Sequence, residues 1–346
     1  MRTRRPLASI ALGLVLTTVA VACGDDDGAE VRDLGSQESG SGSGSASGSG
    51  SASGSGSASG SGSASAPASA SGTAAGGSVA SGSATGIAAG SVARSTDNPL
   101  IAQAVDGYRA YLVEQVAQMQ ADTTTFTDAV RAGDIDAAKA AYPVSRRSWE
   151  RIEPIAGLIE DIDTAVDARE DDYDGPDDPA FTGWHKLEYL IWTAGDLSEA
   201  GPIADQLDAD LQRLADELPD LELPPGVLTV GAQELIEEVA APDGKLSGEE
   251  DRYSGTDLYD FQANVEGSEA LIDLLEPALQ EADPELLEEI RAEFAELYGH
   301  LAELGSFEDG FVSYADVTEE QKQQLADDLA ELAESLSLLN GTLGLE

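Results

Sequence analysis

The 346-residue chain has one cysteine, two histidines and few basic residues, and each scarcity excludes something. The cysteine, Cys23, precedes everything that reads as folded, so neither a disulfide framework nor a thiolate metal site can be built there. Lys+Arg number 18 against 66 Asp+Glu, a formal charge of -48. Phosphate contacts need a basic surface, so this balance excludes a sequence-general nucleic-acid binder. It also argues against docking to anionic lipid through a polybasic patch. No Gly-rich phosphate loop, Gly-x-Ser-x-Gly elbow or His-Glu-x-x-His string is present. Nor does any stretch alternate with period two in strand-forming residues.

The first segment reads as an export signal. Arg2, Arg4 and Arg5 form a charged start, Leu7 to Val21 an apolar run too short to span a membrane, and Ala20-Val21-Ala22 small residues before Cys23. A cysteine at that place resembles a bacterial lipoprotein signal with its lipobox; a plain secretory signal is the alternative. A diacylated Cys23 would anchor the chain to the membrane, because two acyl chains exceed the marginal hold of one. Arg4-Arg5 leaves the Sec and twin-arginine routes both open.

Residues 24–34 are acidic, and Gly35 to Ser91 is a Gly/Ser/Ala repeat. Such a composition cannot bury enough apolar area to offset its ordering entropy. As a coil of about 57 residues it has an r.m.s. span of roughly 40 Å, the length of a tether. The expected organisation is a signal peptide at 1–22, a lipid-anchored linker at 23–95 and a helical domain at 96–346.

That domain carries 60 of the 66 acids and 13 of the 18 bases. Most of the acids read as solvated helix faces that raise the local cation concentration. Asp97 is placed to cap a helix with Pro99 in its first turn, and Ile101, Val105, Tyr108, Leu112, Val116 and Met119 follow at helical spacing. Phe126, Val130 and Ile135 predict a second, shorter stretch broken at Gly133, and Trp149 to Ile159 another. Further helices are expected at about 180–192, 197–218, 227–239, 260–280, 285–304 and 319–339. The fold class is therefore all-α, in antiparallel bundles. Two loops stand out, 169–179 and 241–256.

Histidine narrows the search for chemistry. His185 and Glu188 lie three apart on one helix face, amid Phe181, Trp184, Leu187, Leu190, Ile191 and Trp192, which predicts a buried helix. A buried His–Glu pair is either a core hydrogen bond or a pair sharing a cation, as in bundle metal sites. His300 and Glu303 repeat the spacing on a more exposed face and read as solvated. Glu170-Asp171-Asp172-Tyr173-Asp174-Gly175 begins like an EF-hand loop, but its twelfth position is Phe181, so it reads as an acidic surface loop. Asp257, Tyr259 and Asp260 sit at a helix start and read as capping residues.

Longer strings carry a resemblance. Trp149-Glu150-Arg151-Ile152-Glu153-Pro154-Ile155-Ala156, the run Ile162 to Glu170, and Phe181-Thr182-Gly183-Trp184-His185-Lys186-Leu187-Glu188 are similar to the imelysin-like (M75) family, in its iron-transport branch of EfeO and EfeM type. Gly248 to Ser254 and Thr256 to Gly267 agree, and the similarity spans about residues 97–340. The Gly/Ser tether stands where EfeO-type members carry a cupredoxin-like domain, so the chain resembles the shorter EfeM type.

The resemblance implies two four-helix bundles and a metal site of His185 and Glu188 with Glu150 and Asp167, then Glu250, with Glu153 as the alternative to Glu150. One imidazole with several carboxylates suits iron, as Fe(II) or Fe(III), or manganese; zinc can also occupy such a set. Arg169 is placed to pair with one of the acids. By resemblance the partners are an EfeU-type iron permease and an EfeB-type haem peroxidase, and the protein is an extracytoplasmic lipoprotein that captures iron and delivers it. Two other readings remain: a metallopeptidase, as the M75 label implies, and a non-metal scaffold. The zinc carboxypeptidases that His-x-x-Glu suggests are α/β folds, unlike this helical chain.

Overall fold

The computed structural model describes residues 98–241 and 244–345. The signal, Cys23, the tether and Asp97 lie outside the described residues.

α1 runs unbroken from Pro99–Ala132, capped by Asn98, whose side chain accepts from Leu100 N at 2.9 Å. Phe126 and Val130 belong to it rather than to a second helix. A continuous stripe at steps of three and four, from Ile101 through Tyr108, Leu112 and Met119 to Val130, gives no reason to stop earlier. Gly133, in the left-handed region, ends it. α2 (Ile135–Ile152) therefore gathers Ile135 and Trp149 into one helix, followed by a 3-10 turn at Glu153–Leu158. α3 is Glu160–Val166 and α4 only Gly183–Tyr189, continued by a π turn at Leu190–Ala194. α5 (Gly201–Glu217), α6 (Pro225–Ala240), α7 (Asp257–Ala282), α8 (Pro284–Ala302), α9 (Glu319–Ser337) and α10 (Leu339–Leu343) complete the helices.

One small hairpin was not expected: β1 (Gly305–Ser306) pairs antiparallel with β2 (Gly310–Phe311). Pairs of two residues leave no period-two trace in a sequence.

α7 belongs to two helix groups. It packs on α1 and α2, with α5 also against α1, and separately on α6 and α8, with α9 closing that second group. The two four-helix groups thus share their longest common member. Gly267 permits the approach of α7 to α2, since a Cβ there would stand 2.2 Å from the Arg151 carbonyl oxygen. Among the described residues no helix is long and apolar enough to cross a membrane.

Candidate metal centre

The α7–α2 contact carries a polar stripe inside the core. α2 contributes Tyr142, Arg146 and Glu150 at four-residue intervals, with Glu153 just beyond its end. α7 opposes them with Asp257, Asp260 and Asn264, all buried. Asp167 follows α3, α4 brings His185 and Glu188, and the loop between α6 and α7 brings Lys245, Glu250 and Asp251. Gly183 makes the junction of α3 and α4 possible. Its φ is +75°, and a Cβ would lie 2.1 Å from Val166 O. Only glycine lets α4 start close enough to set His185 beside Asp167.

His185 is 2% exposed. Its Nε2 lies 3.5 Å from Asp167 Oδ1 and 3.6 Å from Glu250 Oε1, yet makes no hydrogen bond. Its Nδ1 lies 3.4 Å from the Tyr142 hydroxyl and 3.6 Å from Glu188 Oε2. That hydroxyl donates to Asp251 Oδ1 at 2.8 Å, so it meets the ring as an acceptor and assigns the proton to Nδ1. With the ring neutral, the Nε2 lone pair would face two buried carboxylate oxygens. The contact is repulsive unless a proton or a metal cation lies between them.

Glu188 is tied to the loop, its Oε1 accepting from the backbone N–H of Tyr253 at 3.0 Å and Ser254 at 2.7 Å. Cations crowd the Nε2 side. Arg146 pairs with Glu150 and Asp167 and lies 2.8 Å from Glu250 Oε1. Lys245 Nζ reaches Glu150 Oε2 at 2.5 Å and Glu153 Oε2 at 2.9 Å. Arg169 lies 3.4 Å from Glu250 Oε2, the kind of pairing expected of it. Asn264 Nδ2 donates to Glu150 Oε2 at 3.0 Å and Glu153 Oε2 at 2.6 Å.

Burial acts on all these acids, and the fixed cations decide which resist it. Burial works to raise Asp167, but Arg146 and His185 outweigh it and hold that carboxyl below the usual range. Glu250 is likewise held low, with burial opposed by Lys245, His185 and Arg146. On the Nδ1 side burial prevails: Glu188 and Asp260 are raised, and Asp257 is pushed up to about 8. Burial also raises Glu150, and Glu153 to about 7, against Lys245. Burial and Arg146 both depress His185, but its neighbouring carboxylates raise it well above an ordinary histidine.

The structure thus gathers His185, Glu188, Asp167 and Glu250 around one ring and turns Glu150 and Glu153 towards Arg146, Lys245 and Asn264. Two sets of donor atoms lie within 4.8 Å of one another, Asp167–His185–Glu250 and His185–Glu188–Asp251. Among the described residues both candidate groups contain His185. Asp251 was not anticipated, nor were Arg146 and Lys245. The spacing of Arg146 and Glu150 is a legible pair signal, whereas Lys245 meets α2 only through the tertiary fold.

Asp257 and Asp260 are not capping groups. Thr256 holds the cap position, and both acids are buried, with Asp257 accepting from Asp251 N at 3.2 Å and Asp260 lying 3.4 Å from Arg146 Nε. His300 is only partly solvated, its Nδ1 lying 2.5 Å from Asp328 Oδ2, while Glu303 is exposed. In the acidic loop Asp171 pairs with Arg252, and Glu170 accepts from Tyr253.

A helical fold built round a buried His-x-x-Glu and carboxylate cluster defines an imelysin-type protein. The family model for imelysin (peptidase M75) matches residues 104–339, and the chain belongs to that family. It is 45% identical over 262 residues to the iron uptake system component EfeO of Escherichia coli strain K12, covering 75% of this chain and 69% of that one. The same figures hold for EfeO of Shigella flexneri. In fold it is similar to an imelysin-like protein from Psychrobacter arcticum 273-4, with a TM-score of 0.53 at 14% identity, covering 70% of this chain and 96% of the other.

Proposed function

We propose that this protein captures iron outside the cytoplasm and passes it to a membrane permease. The ion is held by His185 Nε2, Asp167 and Glu250. Glu188 stands beside the other nitrogen, and Glu150 and Glu153 lie behind the ligands, where they hold Arg146 and Lys245 in place. The observation that carries the reading is the buried Nε2 facing two carboxylate oxygens without a hydrogen bond. A nitrogen with several oxygens is a hard donor set that suits Fe(II), Fe(III) or Mn(II) and admits zinc. Relatives named as iron uptake components support iron as the cargo. On this reading the protein is not an enzyme. Cys23 carries the lipid anchor, the 23–95 segment is the tether, and an EfeU-type permease and an EfeB-type haem peroxidase are the partners.

The test is metal analysis and calorimetry of the full chain beside His185→Ala. Wild type should take up iron stoichiometrically, and the variant should lose it while keeping its helical circular dichroism. One-to-one iron binding by the variant would place the site elsewhere. The family's peptidase label is examined in the same samples: peptide cleavage that disappears in His185→Ala would replace the transport reading.

A further inference from the structure

Arg146 is fully buried, and two of the oxygens it binds are the carboxylate oxygens that face the imidazole Nε2. Its guanidinium holds Asp167 Oδ1 and Glu250 Oε1, the same atoms that lie 3.5 and 3.6 Å from His185 Nε2. A metal ion on that nitrogen would draw on both oxygens. A guanidinium and a metal cation sharing two buried carboxylates repel each other strongly, because little water screens them. Both cannot keep full contact.

The other edge of the same guanidinium faces a second pair of acids. Nε lies 3.4 Å from Asp260 Oδ1 and 3.7 Å from Asp251 Oδ1. Asp260 Oδ2 is buried and makes no hydrogen bond. A buried carboxylate oxygen without a donor is costly, and a small shift of Arg146 would supply one. The Trp184 ring, 5.7 Å from the guanidinium carbon, flanks the group without offering a competing acceptor.

We propose that Arg146 is an exchangeable counter-cation, which neutralises Asp167 and Glu250 until a metal ion takes those oxygens and then shifts wholly onto Asp260 and Asp251, which its Nε already meets. The proposal rests on the metal-binding reading above and adds a means of release. Uptake swaps one cation for another, so the buried acids are never left without a counter-charge. The returning guanidinium competes with the cargo and keeps its hold reversible. A static role, in which Arg146 merely aligns the ligands, predicts the opposite effect of its removal.

The experiment is Mn(II) titration calorimetry on the full chain, Arg146→Gln and Asp260→Asn, with crystal structures of the wild type grown with and without Mn(II). Loss of the competitor should tighten Mn(II) binding by Arg146→Gln about tenfold or more. Loss of the receiving carboxylate in Asp260→Asn should weaken it by a similar factor. In the Mn(II) crystals the guanidinium should have left Asp167 Oδ1 for Asp260. Should Arg146→Gln fail to fold, Asp260→Asn and the crystals decide. Weaker binding by Arg146→Gln, unchanged binding by Asp260→Asn, or a guanidinium still on Asp167 Oδ1 beside bound Mn(II) overturns the exchange and leaves the metal site standing. A wild type that binds neither Mn(II) nor Fe(II) overturns both.

Discussion

The indole Nε1–H of Trp149 donates to Asp167 Oδ2 at 2.8 Å, while the other oxygen of that carboxylate faces the His185 ring. An aromatic reporter is therefore bonded to a proposed ligand. An ion drawing on Asp167 should change Trp149 emission saturably, with a midpoint matching calorimetry. Trp149→Phe should abolish most of that change although Trp184 and Trp192 remain. Binding should weaken by about tenfold or more, since a hydrogen bond to a charged group contributes about 1.5–3 kcal/mol. An undiminished signal in Trp149→Phe would show that Asp167 is not engaged.

Lys245 is 2% exposed and pairs with Glu150 and Glu153. Lys245→Met leaves buried carboxylates uncompensated and should cost about 3–5 kcal/mol in urea denaturation. Adding Glu150→Gln removes one of those charges. The double variant should then be more stable than the sum of the single losses, with a coupling of about 0.5–3 kcal/mol. Strict additivity would contradict the pairing.

Gly183→Ala should destabilise by at least about 2 kcal/mol, because the backbone has φ +75° and the new Cβ meets Val166 O at 2.1 Å. It should also weaken ion binding, since relief of the clash parts Asp167 from His185. Gly157→Ala is the control, with nothing within 4 Å of a Cβ and no positive φ. Thermal melts that rank the two variants equally would rule out the close-approach argument.

His300 is raised above an ordinary histidine by its contact with Asp328, against a smaller opposing effect of burial. A raised value means that the pair's contribution to stability is complete below the unfolded value near 6.5 and fades as pH rises through the folded one. The gain is small because the histidine is partly exposed. An NMR titration of the His300 ring should show the elevated midpoint, and Asp328→Asn should return it towards 6.5. A midpoint indifferent to Asp328→Asn would remove the pair as the cause.

Sequence and structure divide unevenly between fold and site. Helical periodicity made the all-α class legible, and helix ends shifted where a continuous apolar stripe outweighed a local break, as at Phe126 and Val130. His185 and Glu188 could be singled out because local spacing places them on one helix face, and Glu150 because its run resembles the family's. The residues that set the charge state of the centre were less visible. Asp251 and Lys245 sit in a loop, where no periodicity marks a side chain as buried. Asp257 and Asp260 read as helix-start acids until α7 is seen packed against α2.

By itself the sequence determined the secondary-structure class and the family, because periodicity and recognisable strings are properties of one chain segment at a time. Only the tertiary structure decided which carboxylates share the histidine, which answer to Arg146 and Lys245, and that Asp167 and Glu250 are held below the usual carboxylate range while burial raises Glu188. Those outcomes depend on burial and on distances between segments remote in sequence, since the strength of a charge's field is set by what lies within a few ångströms of it.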